Sequence, residues 1–255
     1  FNDQFDVFVA EDQWMQIRAG DGVDTYSLGG DGKVRLDLQD GREGINVDLA
    51  TRSIYNDGFG NSETYTGDFA EVRGTHHDDV IMGSSTKNYE YFVLRGGNDT
   101  LDGGGLFDTV SYDRSSDIQN LEVDLSLGLA TGTWDGITFK HEIANIEEVF
   151  GSSNDDLITG GKRLDFLDGR EGNDTLTGGE GSDTFVFRGT FDHDVITDFE
   201  EGVDSLEFYT DDGTSIAVSE LVESTDTNGN RVLSTFDGLS SVTFAAATTP
   251  PTGDP

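Results

Sequence analysis

Between residues 151 and 186 the apolar residues fall on a nine-residue beat. The segment divides without gaps into GSSNDDLIT, GGKRLDFLD, GREGNDTLT and GGEGSDTFV, each with Gly first, Asp sixth and an apolar residue eighth. The eighth positions are Ile158, Leu167, Leu176 and Phe185; the sixth are Asp156, Asp165, Asp174 and Asp183. Such a repeat is read before any helix or strand, because it fixes the architecture. After a slip of two residues GTFDHDVIT continues it at 189–197, with Asp194 sixth and Ile196 eighth. Upstream, GTHHDDVIM covers 74–82, and LRGGNDTLD and GGGLFDTVS cover 94–111, placing Asp79, Asp99 and Asp108 sixth. FNDQFDVFV, AEDQWMQIR and AGDGVDTYS fill 1–27 as worn copies, of which the first and third carry the sixth-place Asp, Asp6 and Asp24.

A longer duplication lies over the nonapeptides. Asp24-Thr25-Tyr26-Ser27 recurs as Asp108-Thr109-Val110-Ser111, Val47-Asp48-Leu49 as Val123-Asp124-Leu125, and Gly97-Asn98-Asp99-Thr100-Leu101 as Gly172-Asn173-Asp174-Thr175-Leu176. Two successive solenoid units follow, over 1–111 and 112–199. Leu121, Val123, Leu125, Leu127 and Leu129 alternate with polar or small residues, as a strand with one buried face does, and Ile45, Val47 and Leu49 do the same. The only helical expectation is a turn around Ile143 to Val149. Past residue 200 the repeats stop, and short strands around Val203–Phe208, Arg231–Phe236 and Ser240–Phe244, with an Asn228-Gly229 hairpin turn, form the end cap that a solenoid needs, over 200–246. Residues 247–255 read as a linker or tail. The fold class expected is therefore all-β, a right-handed parallel β-roll or β-helix solenoid with a C-terminal β cap.

The spacing also makes a metal site. Glycines at positions one, two and four permit backbone angles closed to other residues, so six residues turn tightly with their carbonyls inward. Asp at position six adds a carboxylate at the exit of this arc, and positions seven to nine form a short strand. Two nonapeptides complete a coil, which sets Asp156 against Asp174, Asp165 against Asp183, Asp174 against Asp194 and Asp79 against Asp99. An oxygen-lined cavity suits Ca²⁺, with its roughly six to eight oxygen ligands, better than Mg²⁺, which holds a smaller octahedral shell and keeps its water. Candidate ligands are Asp24, Asp79, Asp99, Asp108, Asp156, Asp165, Asp174, Asp183 and Asp194, with the arc residues Gly151, Ser153, Gly160, Gly169, Glu171, Gly178 and Glu180. Without metal the carboxylate columns repel and each slim coil buries little, so the metal-free chain is expected to be largely unfolded.

Composition sharpens this picture. The 255 residues include 34 glycines and 3 prolines, as a turn-dense β protein does, and no cysteine, so no disulfide or thiolate site exists. Against 15 Lys+Arg stand 51 Asp+Glu, for a formal charge of −36, which argues against nucleic acid or an anionic membrane as partner and for cations. Asp outnumbers Glu about two to one, and the shorter carboxylate suits tight turns and hard-cation sites. No apolar stretch approaches the roughly 20 residues of a membrane span, and residues 1–20 lack a signal-peptide profile.

The repeat is the GGxGxDxUx pattern, met at every defined position by GGEGSDTFV, and the chain resembles the repeats-in-toxin (RTX), or hemolysin-type calcium-binding, family of secreted bacterial proteins. The resemblance covers most of residues 1–199. It implies type I secretion, a chain unfolded at low cytosolic Ca²⁺, and folding outside the cell or at its surface; Asp192–Phe208 resembles the element that ends such rolls. Arg163 in place of the fourth Gly, the break at Lys87–Val93, and Met15 and Val34 in place of Asp are departures that weaken ion sites there.

No HExxH motif occurs, and Ser84-Ser85-Thr86-Lys87 lacks the partner motifs that would make it catalytic. The expected function is a non-catalytic calcium-folded structural and export module. The alternative is an extracellular binding or self-assembly module for polysaccharide, adhesion or a surface layer. Against a polysaccharide groove stands the scatter of the few cationic residues along the sequence.

Overall fold

The computed structural model describes residues 1–113 and 117–245; the 247–255 tail lies outside them. Each nonapeptide yields a short strand with its eighth side chain turned inward. In Leu157–Thr159, Phe166–Asp168, Thr175–Thr177 and Thr184–Arg188, the inward residues Ile158, Leu167, Leu176 and Phe185 are fully buried. Strands two repeats apart pair in parallel: Leu157–Thr159 with Thr175–Thr177, and Phe166–Asp168 with Thr184–Arg188. Alternate strands therefore build opposite walls. One wall is a 16-stranded sheet, the other a 10-stranded sheet, and a single apolar cluster from Val9 to Phe244 fills the space between them. The fold is an all-β parallel roll. Among the described residues the only helix is the 3-10 turn Val218–Glu220.

Because each coil contributes so few core side chains, their neighbours have little room to collapse. Phe185→Ala should cost about 3–5 kcal/mol, the usual range for a buried Phe. Urea denaturation of the calcium-saturated protein measures it.

The long duplication reproduces a topology. Asn46–Asp48, Ser53–Asn56 and Glu63–Thr66 form an antiparallel meander whose last strand joins Thr25–Gly29 in parallel and whose first joins Val80–Met82. Ile118–Asp124, Leu129–Trp134 and Ile137–Ala144 repeat the arrangement between Thr100–Asp102 and Leu157–Thr159. These meanders are the main reason why one sheet has more strands than the other. The single strand expected over 121–129 is instead two strands. Asp124 accepts the Ser126 hydroxyl (2.6 Å) and the Leu127 N–H (2.9 Å), Gly128 takes φ +69°, and the chain turns there with Leu127 exposed. The expected helical turn near 143–149 is also absent, its place being taken by the strands Ile137–Ala144 and Glu148–Phe150.

The first worn repeat runs in a different frame from the one its spacing implied. Gln4–Phe8 pairs with Thr25–Gly29 so that Gln4 meets Thr25 and Phe5 meets Tyr26. Asp3, not Asp6, thus stands in line with Asp24, and Phe5 stacks on Tyr26 at 5.4 Å. Asp6 and Phe8 are exposed. Phe5 and Val7 alternate as regularly as Asp6 and Phe8, and only pairing with the next coil selects between them.

Beyond residue 200 the roll continues before it closes. Ser205–Tyr209 adds in parallel to Thr184–Arg188, and Ser241–Phe244 adds in parallel to His193–Ile196. Arg231–Ser234 and Val222–Thr225 then follow antiparallel, joined by a turn in which Asp226 accepts the N–H groups of Asn228 and Asn230, both at 2.8 Å.

Candidate metal ladder

At each arc exit the main chain of one coil bonds the carboxylate of the next. Asp156 N–H donates to Asp174 Oδ1 (2.8 Å), and Asp174 N–H donates to Asp194 Oδ1 (2.8 Å). The same bond links Asp165 to Asp183 (3.0 Å), Asp79 to Asp99 (2.9 Å) and Asp3 to Asp24 (2.7 Å). The spatial pairs expected from the two-repeat coil are thus neighbours. All of these carboxylates except that of Asp3 are buried.

One carboxylate oxygen in each rung serves this backbone bond, and the fate of the other divides the column. Asp24 Oδ2, Asp99 Oδ2, Asp108 Oδ2, Asp174 Oδ2 and Asp183 Oδ2 are buried with no hydrogen-bond partner. Unsatisfied buried acceptors are costly and rare, and five in equivalent positions form a pattern. Burial, reinforced by the Asp156 carboxylate, pushes Asp174 up to about 8. Burial likewise raises Asp194 to about 9, and Asp108 and Asp156 to about 7. Burial raises both Asp79 and Asp99, and the Asp79 charge raises Asp99 further.

Asp79 and Asp156 are different. Thr75 donates its N–H (2.7 Å) and hydroxyl (2.8 Å) to Asp79, and Ser152 does the same for Asp156 at 2.6 and 2.8 Å. These two rungs open their blocks and are held by their own arcs. Asp165 takes the Gly161 N–H at 2.5 Å.

The arc glycines are where backbone and carboxylate come closest. A Cβ on Gly169 would collide with the Asp174 carboxylate, and one on Gly178 with that of Asp183. On Gly151 and Gly160 it would meet the carbonyls of Gly169 and Gly178 in the next coil. Ser153 is half-buried, while Glu171 and Glu180 have exposed side chains, which leaves their main-chain carbonyls as the groups relevant to a buried ion.

Several rungs lie outside the nine-residue pattern. Glu63 accepts the Asp24 N–H (2.9 Å), Glu147 the Asp108 N–H (3.0 Å) and Asp204 the Asp183 N–H (3.0 Å). Glu90 donates its N–H to Asp108 Oδ1 (3.0 Å). Each stands two residues before an inward side chain, as in Glu63-Thr64-Tyr65, and that spacing was the available signal. Asp198 accepts the N–H groups of Gly178 (2.8 Å) and Gly179 (2.9 Å).

Calcium fits this donor set. The rungs themselves supply oxygen, with spare buried lone pairs beside close main-chain carbonyls, and a ring nitrogen, His141 Nε2, lies beside one of them, 3.2 Å from Asp99 Oδ2. Among the described residues no three His, Asp or Glu side chains converge as a cluster, so most ligands at any rung would have to be carbonyls, as the arc geometry allows. His76, His77 and Asp78 lie exposed on an arc.

Five of the 15 cationic residues, far apart in sequence, come together in space. Lys33, Arg35, Arg73, Arg170 and Arg188 line two open clefts against the ten-stranded sheet, the larger about 1150 Å³. Arg170 lies over Phe150 (4.0 Å), Arg188 over Tyr209 (4.8 Å) and Arg35 over Trp14 (4.6 Å). Among the described residues no helix is long and apolar enough to cross a membrane.

A family profile described as the RTX calcium-binding nonapeptide repeat matches residues 94–110 and 150–185, in four copies. No curated protein sequence matches the chain. Among solved structures the chain is similar to the extracellular lipase LipA from Serratia marcescens, at 17% identity and a TM-score of 0.33, over 72% of this chain and 39% of the lipase chain. Residues 94–110 and 150–185 thus match RTX calcium-binding repeats.

Proposed function

We propose that this chain is a calcium-dependent β-roll module of a secreted protein, without a catalytic site of its own, that folds when its carboxylate ladder is loaded. The observation that carries this reading is the set of five equivalent buried carboxylate oxygens without a partner. Asp24, Asp99, Asp108, Asp174 and Asp183, with their stacked neighbours Asp79, Asp156, Asp165 and Asp194, supply the charge. The main chain at Gly151, Ser153, Gly160, Gly169, Glu171, Gly178 and Glu180 supplies carbonyls. Bound calcium neutralises the columns and satisfies the spare lone pairs. An ion held only by the folded state adds about 2.7 kcal/mol at 100 times its Kd, so a few filled rungs decide whether the chain folds. This dependence suits type I export of an unfolded chain from a low-calcium cytosol into a calcium-rich exterior. The units 1–111 and 112–199 act as one rigid spacer, closed by 200–246. Isothermal titration of the chelator-stripped protein tests the ligand assignment: several calcium ions per chain are expected, and heat no different from a magnesium control would contradict it.

The cation and aromatic groups beside the ten-stranded sheet favour a second reading, an extracellular module for polysaccharide. Asp168 and Asp113 already engage Arg188 (2.8 Å) and Arg170 (3.2 Å), so a mixed polar groove rather than a purely basic one is offered. Binding to neutral and anionic glycans, at least tenfold weaker in Arg188→Ala, is the expected result; no glycan retained by the calcium-loaded protein would remove this reading.

A further inference from the structure

The two units place different side chains on one equivalent rung. Thr25 pairs with Thr64, and Thr100 pairs with Glu142. The preceding residues, Glu63 and His141, therefore occupy the same place in the two meanders, next to Asp24 and Asp99 respectively. Glu63 behaves as a member of the ladder: one oxygen accepts the Asp24 N–H (2.9 Å), the other the Tyr26 hydroxyl (2.9 Å), and Asp24 keeps its spare buried oxygen.

His141 behaves otherwise. It is fully buried, and its Nε2 lies 3.2 Å from the spare Oδ2 of Asp99, without the alignment of a hydrogen bond between them. The ring is fixed from its other side. Nδ1 is 3.2 Å from the Tyr112 hydroxyl, and the imidazole stacks on Phe139 (4.3 Å) and lies nearly parallel to Tyr112 (5.8 Å). The side chain thus occupies the space beside an oxygen of the kind that elsewhere in the column has no hydrogen-bond partner. It brings nitrogen to a place where calcium requires oxygen.

We propose that His141 takes the place of an ion above Asp99, so that the second meander closes its calcium column with an imidazole while the first, through Glu63, leaves the equivalent rung open to calcium. This inference rests on the ladder being the calcium site. It also gives the roll one joint between coils that does not depend on calcium.

Reciprocal substitution tests it. Bound calcium per chain is measured by atomic emission after equilibrium dialysis at saturating free calcium, with far-UV circular dichroism to verify folding. His141→Glu should bind one ion more than the wild type, Glu63→His one ion fewer, and the double swap the wild-type number. Where either swap does not fold, His141→Gln, which offers an oxygen in place of the ring, should gain one ion, and Glu63→Leu, which offers none, should lose one. Unchanged counts in folded variants would overturn the role of His141. A wild-type chain that binds no calcium would instead overturn the ladder reading beneath it.

Discussion

Asp174→Asn should raise the calcium concentration at the folding midpoint at least tenfold, more than any other single ladder substitution. Asp174 is the middle rung of three: its Oδ1 receives the Asp156 N–H, and its own N–H reaches Asp194. Its Oδ2 is one of the spare buried oxygens. Losing this charge weakens the ion sites on both sides, and each tenfold loss of affinity corresponds to about 1.4 kcal/mol. Asp156→Asn should act less strongly, because the N–H and hydroxyl of Ser152 already engage that carboxylate. Asp135 is exposed on a hairpin turn with φ +48°, a conformation that Asn also tolerates. Asp135→Asn should leave the midpoint unchanged. Calcium titrations followed by tryptophan fluorescence rank the three; equal midpoints for Asp174→Asn and Asp135→Asn would separate the ladder from folding.

The metal-free chain should gain β structure as the pH falls from 9 towards 5. Burial raises Asp194 to about 9, Asp174 to about 8, Asp108, Asp156, Glu63 and Glu90 to about 7, and Asp165 to about 6, against roughly 4 for unfolded carboxyls. The folded state therefore binds protons more tightly than the unfolded state. By linkage its stability is greatest below about pH 4 and is lost as the pH rises through these values. This is opposite to the usual acid denaturation of salt-bridged carboxylates. Protons and calcium compete for the same oxygens, so calcium affinity should fall over the same window. Circular dichroism in chelator from pH 9 to 5 checks the first point and calcium titrations at each pH the second; a metal-free signal flat across this range would show that ladder charge is not what opposes folding.

The legible part of this molecule was the part in which one residue does one job. Asp at the sixth place and an apolar eighth residue fixed strands, walls and rung pairing over 151–197, since Ile158, Leu167, Leu176 and Phe185 can turn inward only in that frame. Rungs outside the full repeat were not legible: Glu63 and Glu147 put Glu where the repeat has Asp, and Asp204 lacks the paired glycines that open the arc. Each meander was hidden for another reason. A period of two runs unbroken from Leu121 to Leu129, and only the side-chain bonds of Asp124 and the left-handed Gly128 break the strand. At the amino-terminal end two frames had equal merit until Phe5 met Tyr26. The clustering of cations against the ten-stranded sheet is a property of the coil, because residues far apart such as Arg73 and Arg188 come to line one cleft.

The central claim, that calcium in the carboxylate ladder folds the roll, is tested most directly by far-UV circular dichroism of chelator-stripped protein titrated with calcium at neutral pH, with magnesium as control. The account predicts a disordered starting spectrum and a cooperative rise of β signal with calcium alone. A folded metal-free chain whose spectrum does not respond to calcium would contradict it.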